Sequence, residues 1–412
     1  MIRKCTRLSI VLLVAFLYPA CNKEKSILTA DEKQFILDQY SNTLNVSNDL
    51  TKVPRRIDEK GDLVFTSIYG WTSGFFAGNL WYIYELTCDD QWKEEAMKWT
   101  EALDTIQYWG GNHDVGFMIN CSYGNGLRLT GNEAYKKVLI RTAESLIKRY
   151  NPAAESLESW DFREAWDGST VWYFPVIIDN MMNLELLFEA SRLSGEKRYE
   201  EIAIMHAQTT MKNHYRDDYS PYHVVDYDTI TGEVLDRATC QGFVDESSWA
   251  RGQAWGLYGF VTCYRYTRNT EYLKFAEHIA DYIIDHPNMP EEMVPYWDYN
   301  VVDPGLKPEW DYDPSKFDEI PRDASAAAIT SSALFELSKY SEINNKDKYF
   351  EVAVKILNSL ASPRYLALEG KNRYFILNHS VGSIPHGVEI DVPLVYADYY
   401  FLEAFLRYSK PD

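Results

Sequence analysis

The chain has 412 residues, enough for one large core, and its 46% hydrophobic and 25% charged residues exclude a disordered or collagen-like polymer. Lys and Arg number 41 against 61 Asp and Glu, and the net charge of -20 excludes sequence-independent nucleic-acid binding, which needs phosphate-neutralising cations. Aromatic residues make up 15% of the chain, with 12 Trp and 31 Tyr; these side chains stack on sugars and flat rings, although large helical cores use them too.

At the N-terminus, Arg3, Lys4 and Arg7 precede an apolar run, 8–18, that is too short to span a bilayer comfortably. Pro19, Ala20 and Cys21 follow, the pattern of a bacterial lipoprotein signal cleaved before Cys21, with lipid on its sulfur. The expected layout is a signal peptide at 1–20, a tether at 21–29 and a single domain at 30–412, lipid-anchored in the bacterial cell envelope and facing the periplasm. Cys88, Cys121, Cys240 and Cys263 lack CxxC spacing, so buried free thiols are expected rather than a zinc site or disulfides.

The rest reads mostly as helix. Tyr272, Phe275, Ala276, Ile279, Ala280 and Ile283 form one helical stripe, and Val138, Leu139, Thr142, Leu146, Ile147 and Tyr150 form another. A turn pattern recurs before such stripes: CDDQW ending at Trp92, TGNEAY at Tyr135, SGEKRY at Tyr199, RNTEY at Tyr272 and NNKDKY at Tyr349. Each follows a helical segment rich in aromatic and small residues, at 74–86, 116–129, 178–193, 250–267 and 325–340. With one helix at 30–44 and one at 392–409, the count is twelve, or six hairpins. That predicts an all-α fold, an (α/α)6 barrel with six helices inside and six outside. The turn aromatics are 43 to 77 residues apart, too irregular and long for a tetratricopeptide solenoid. Insertions at 216–240 and 364–378 read as β-hairpins, and 286–324 reads as a proline-rich loop. All three precede an inner helix and are expected to gather at one rim, where long loops usually serve function.

Four polar motifs lie at the starts of the predicted inner helices: HDVGF (113–117), IIDNMMN (177–183), QGFVDESSWARGQAW (241–255) and EIDVPLVYADYY (389–400). Asp179 stands among apolar neighbours, where desolvation raises a carboxyl pKa and suits it to act as a general acid. The alternative is that it simply caps a helix. Asp114 is either a second member of a carboxylate pair or a cap. Arg251 and Trp255, four apart on a helix, can stack a sugar ring and hold its carboxylate; alternatively, Arg251 pairs an acid such as Asp245 beside a core Trp. A lone loop histidine such as His223 is more often solvated than catalytic.

Together with WTSGFFAGNLW (71–81) and PYHVVDYD (221–228), these motifs resemble the unsaturated glucuronyl hydrolases, glycoside hydrolase family 88, over essentially the whole chain after the signal. The resemblance implies the same barrel fold and no metal or organic cofactor. It implies that Asp179 is the general acid and base and Asp114 its essential partner, with Asn180 beside them. His223 and Gln241 would lie near the substrate's double bond. Trp71, Trp249, Arg251 and Trp255 would line the sugar pocket, with Arg251 facing the uronate carboxylate. Ser380 and Ser383 would meet that carboxylate and the neighbouring sugar. The implied partners are unsaturated uronic-acid oligosaccharides, the disaccharides that lyases release from glycosaminoglycans. An unsaturated rhamnogalacturonyl hydrolase acting on pectin and a noncatalytic glycan-binding lipoprotein are the competing readings. Where sulfate-preferring relatives have a lysine two residues beyond the serine pair, this chain has Pro385, followed by His386. That difference predicts tolerance of sulfate, with a preference growing as His386 becomes protonated.

Overall fold

The computed structural model describes residues 27–410, apart from 166, 167, 169 and 309. The expected signal peptide, Cys21 and the first part of the tether lie outside the described residues. Leu28, expected in the tether, is buried in the core. Thr29 then opens α1 (Ala30–Val46) through a reciprocal capping box: its hydroxyl accepts from Glu32 N at 3.2 Å, and the Glu32 carboxylate accepts from Thr29 N at 2.7 Å.

The turn pattern has a physical basis. α2 (Ser73–Thr87) ends on left-handed Cys88, and Asp89 caps α3 (Asp90–Glu101). The next inner helix is broken where an unbroken one is predicted: α4 (Val115–Ile119) passes through a π turn, Asn120–Gly124, into α5 (Asn125–Thr130). Left-handed Gly131 stops α5, and Asn132 caps α6 (Glu133–Leu146). A 3-10 turn, Ile178–Asn183, leads into α7 (Leu184–Ser194), which stops at left-handed Gly195 before α8 (Arg198–Asn213). α9 (Ala250–Thr267) stops at left-handed Arg268, and Asn269 caps α10 (Thr270–Asp285). The left-handed residue turns the chain back, and the Asp or Asn accepts an otherwise orphaned amide of the next helix. Two turns depart from this: at SGEKRY the residue before α8 is Lys197, which makes no side-chain cap, and NNKDKY lies elsewhere altogether. α11 (Ala324–Tyr340) exits through Ser341 and Glu342, and α12 (Ile343–Leu360) already contains both asparagines. The aromatic that follows each pattern, Trp92, Tyr135, Tyr199, Tyr272 or Tyr349, is buried and fixes its outer helix to the core.

The inner helices α9, α11 and α13 (Val395–Ser409) are buried on all sides over most of their length, whereas α3, α6, α10 and α12 bury one stripe. Around the ring, α2 packs on α4 and on the π turn, α4 on the 3-10 turn, that turn on α9, α9 on α11, α11 on α13, and α13 back on α2. The first and last helices meet as expected: Tyr40 of α1 donates to Asp398 at 3.0 Å and accepts from Asn79 of α2 at 2.6 Å. A closed (α/α)6 barrel results, and the open solenoid is excluded.

The insertions do gather at one rim. The hairpin expected within 216–240 forms from Val224–Tyr227 and Val234–Ala238, and a third antiparallel strand, Pro175–Ile177, joins it with Ile177 opposite Val224. The segment 364–378 is not a strand pair; a single bridge joins Leu366 to Leu377, and Gln39 and Asp398 take up its other backbone groups. A hairpin unread in the sequence, Lys52–Ile57 with Leu63–Ser67, presents Arg55 to Glu389 in a two-point ion pair at 2.5 and 2.9 Å. The loop 379–392 is thereby tied to the hairpin that precedes α2, which also bridges to Leu394 through Arg56.

Candidate active site

Asp114 and Asp179 reach this rim from different inner helices. Neither acts as a cap. Asp114 occupies the residue before α4 without a capping hydrogen bond. Asp179 lies inside the 3-10 turn, and its Oδ2 has no hydrogen-bond partner. Burial, reinforced by the negative charge of Asp179, pushes the Asp114 carboxyl up to about 8. Asp114 therefore keeps its proton at neutral pH, beside the charge of Asp179.

Each carboxyl has its own oriented histidine. His223 Nδ1 accepts from Cys240 N at 3.0 Å and from Gln241 N at 3.1 Å, so its proton resides on Nε2, which stands 3.6 Å from Asp179 Oδ2. The sheet register makes this neighbourhood: Ile178 N donates to His223 O at 3.0 Å, which puts Asp179 beside the histidine. On the other side, Asn183 Oδ1 accepts from Phe117 N at 2.9 Å, which turns the Asn183 amide nitrogen toward His113 Nδ1 at 3.3 Å. His113 Nε2 then faces Asp114 Oδ1 at 3.3 Å. Burial lowers both imidazoles, His113 to about 4, so both remain neutral N–H groups at pH 7. A Cβ on Gly116 would fall 2.3 Å from Asn183 Oδ1, so only glycine lets α4 approach the turn that holds Asn183.

The other expected residues surround this pair. Asn180 is fully buried and donates to Leu157 O at 2.7 Å. Gln241 donates to Gly382 O at 3.1 Å. Trp249 packs against His223 with ring centroids 4.7 Å apart. Trp71, half-buried, lies against Phe117 and Tyr396. Ser380 is buried with its Oγ unpartnered, and Ser383 Oγ contacts His386 Nδ1 at 2.7 Å.

Three readings made from the residues alone change. His223 is not solvated but buried, because it leads directly into a central strand. Arg251 pairs with Asp323 at 3.0 Å, not with Asp245, and also donates to the carbonyls of Val381 and Gly382. Its guanidinium lies over Trp249 and Tyr396, whereas Trp255 is fully buried between Phe117 and Tyr400 and shares no stack with it. His386 is also a poorer cation than expected: burial, with Arg163 and His223 nearby, lowers its basicity. Any sulfate preference due to its charge therefore belongs below the ordinary histidine range.

Asp323 and Tyr396 escape sequence reasoning. Asp323 caps α11 through Ser325 N, a role that its position before a run of small helix formers could have signalled. Its second oxygen neutralises Arg251, a partnership that no local pattern announces. Replacing Asp323 by Ala is expected to lower stability by about 3–5 kcal/mol, because it strands a buried guanidinium. Denaturant unfolding of wild type and variant checks this; a loss under about 1 kcal/mol, the worth of a helix cap alone, would contradict it.

Unpartnered buried polar atoms converge here: Asp179 Oδ2, His223 Nε2, Trp249 Nε1, Arg251 Nε, Ser380 Oγ and Tyr396 Oη. Buried polar groups are ordinarily hydrogen-bonded, so such a ring marks a surface completed by a polar ligand. A cavity of about 650 Å³ at the other end of the inner helices contains none of these residues; its Arg265 and Arg407 are neutralised by Glu185, Glu336 and Glu403. Among the described residues, no cluster of three or more His, Cys, Asp or Glu is placed to hold a metal ion.

No family model matches the chain. It is 46% identical over 414 aligned positions to the unsaturated glucuronyl hydrolase of Formosa agariphila, covering 98% of each protein. A solved unsaturated glucuronyl hydrolase specific for heparin superposes with a TM-score of 0.84 at 44% identity, covering 92% of this chain and 96% of that one. A mutant of the Streptococcus agalactiae unsaturated glucuronyl hydrolase, solved in complex with dGlcA-GalNAc6S, superposes with a TM-score of 0.74 at 26% identity over 99% of both chains. Likeness on this scale runs through the barrel and the rim alike, and the chain belongs to the unsaturated glucuronyl hydrolases.

Proposed function

We propose that the protein removes the 4,5-unsaturated glucuronyl residue from the non-reducing end of glycosaminoglycan fragments left by a polysaccharide lyase. The observation that carries this reading is the pair of buried carboxyls, one retaining its proton to about pH 8, inside a ring of unpartnered polar atoms.

The C4=C5 bond of such a residue is conjugated to its carboxylate and attached to the ring oxygen, so it is a vinyl ether. Asp179 delivers a proton to C4, and the resulting positive charge is shared by C5 and the ring oxygen. The ionised Asp179 then takes a proton from water as that water adds to C5. The product is a hemiketal; it opens to a C5 ketone, and the anomeric carbon, now a hemiacetal, expels the neighbouring sugar. Asp114, with its raised pKa, shares the proton with Asp179, and the N–H of His223 stabilises the carboxylate after transfer. Arg251, with Ser380 and Ser383, supplies the polar field for the uronate carboxylate. In this reading the signal segment is removed and the lipid on Cys21 holds the enzyme at the cell envelope.

Turnover of a lyase-generated unsaturated disaccharide, followed by the loss of ultraviolet absorbance as the double bond is hydrated, tests the activity. The expected result is complete loss of absorbance with release of the neighbouring sugar. Binding without turnover would overturn the proposal in favour of a noncatalytic glycan receptor.

A further inference from the structure

Arg163 stands apart from the other arginines near the rim. Arg149 and Arg251 are each neutralised by an acid, but among the described residues no ion pair or hydrogen bond engages the Arg163 guanidinium. It lies over the ring of Trp160 at 4.2 Å. Trp160 stands edge-on to His223 with centroids 6.4 Å apart, and His223 Nε2 is 3.6 Å from Asp179. Two residues, Trp160 and His223, thus separate the cation from the proton-transfer group. Burial chiefly lowers the basicity of His223, on the sheet, and of His386, on the loop that carries Ser380 and Ser383, and the positive charge of Arg163 adds to both, so the guanidinium stands within electrostatic reach of both elements. Beyond it the rim opens to solvent at Phe162 and Tyr173, both 64% exposed. A guanidinium stacked on a tryptophan face keeps its N–H edge free, in the fork geometry that fits a tetrahedral or planar oxyanion.

We infer that Arg163, braced by Trp160, is a specificity residue that holds a sulfate on the sugar attached to the unsaturated uronate. The inference rests on the proposed glucuronyl hydrolase reading, in which the uronate occupies the depth between Asp179 and Arg251 and its neighbour lies outward. His386 does not take this role, because its Nδ1 is engaged by Ser383 and burial keeps the ring neutral.

The test uses two unsaturated disaccharides that differ only in one sulfate. Their affinities are measured by calorimetry on Asp179→Asn protein, with Arg163 intact and as Arg163→Ala or Arg163→Lys. Steady-state kinetics are measured with the same Arg163 changes in the otherwise wild-type enzyme. Arg163→Ala is expected to weaken the sulfated disaccharide about ten- to a hundredfold, the worth of a charged hydrogen-bonded contact, and the unsulfated one by less than about twofold. Kinetically the loss falls on KM for the sulfated substrate with kcat retained, and Arg163→Lys recovers part of it. Equal losses on both disaccharides would overturn the inference and give Arg163 a structural or uronate-binding part. Unchanged affinity for the sulfated compound, or no binding of either compound, would also overturn it. If wild-type enzyme turns over neither disaccharide, the proposed activity fails, while the paired affinities still decide whether Arg163 reads sulfate.

Discussion

Asp179→Asn is expected to lower turnover of an unsaturated disaccharide by about three to four powers of ten, because one carboxyl serves both proton delivery and water activation. The amide has nearly the same shape, so substrate binding should stay within a few-fold of wild type. Single-turnover absorbance measurements give the rate, and calorimetry gives the affinity. The geometry behind this expectation is specific. Asp179 Oδ2 is buried without a partner, an oriented N–H of His223 stands 3.6 Å away, and the residue caps no helix. A variant with near-normal rate would remove Asp179 from proton transfer and leave its unpartnered buried oxygen unexplained.

Asp114→Asn is expected to cost about a hundredfold in kcat and, more tellingly, to change the shape of the pH profile. Asp114 retains its proton up to about pH 8 because burial and the charge of Asp179 both penalise its ionised form. A raised carboxyl pKa means that the protonated form persists below that value and is lost above it. Activity should therefore fall as pH rises through about 8, when a second negative charge appears beside Asp179. On the acid side, the rate should hold until His113 gains a proton near pH 4, which places a cation against Asp114. An asparagine does not titrate, so the residual activity of Asp114→Asn should lack the fall near pH 8. If the variant keeps that alkaline limb, another group controls it.

Much of the barrel was legible because its turns are local chemistry. A left-handed residue followed by Asp or Asn stops one helix and caps the next, and this pairing is visible at Cys88–Asp89, Gly131–Asn132 and Arg268–Asn269. The pattern misleads at NNKDKY, where α11 ends without a left-handed residue and a similar composition lies inside α12. The π turn at Asn120–Gly124 and the strand Pro175–Ile177 were not legible, since each depends on what packs against it. Val176 and Ile177 read equally well as the start of a buried helix.

The site divides the same way. Asp114 and Asp179 stand out in sequence as carboxylates at helix starts, Asp179 in apolar company. The residues that make them work are joined over long separations: Arg251 meets Asp323 at 72 residues' distance, and Asn183 meets His113 at 70. His223 looks like a loop residue until the sheet register buries it against Asp179. Trp255 has the spacing of a sugar-stacking residue but is enclosed by Phe117 and Tyr400. Periodicity places a side chain on a face; it does not say what that face meets.

The most direct test of the central claim, proton delivery to C4 with water addition at C5, is to run the reaction in deuterium oxide and follow both products by magnetic resonance. The account predicts that loss of the double bond and release of the neighbouring sugar keep step, and that one deuterium enters a single face of C4. Displacement at the anomeric carbon would instead release the sugar first, with the double bond intact in the free uronate. Deuterium would then appear on both faces of C4 as the uronate rearranged in solution, and that result would contradict the account.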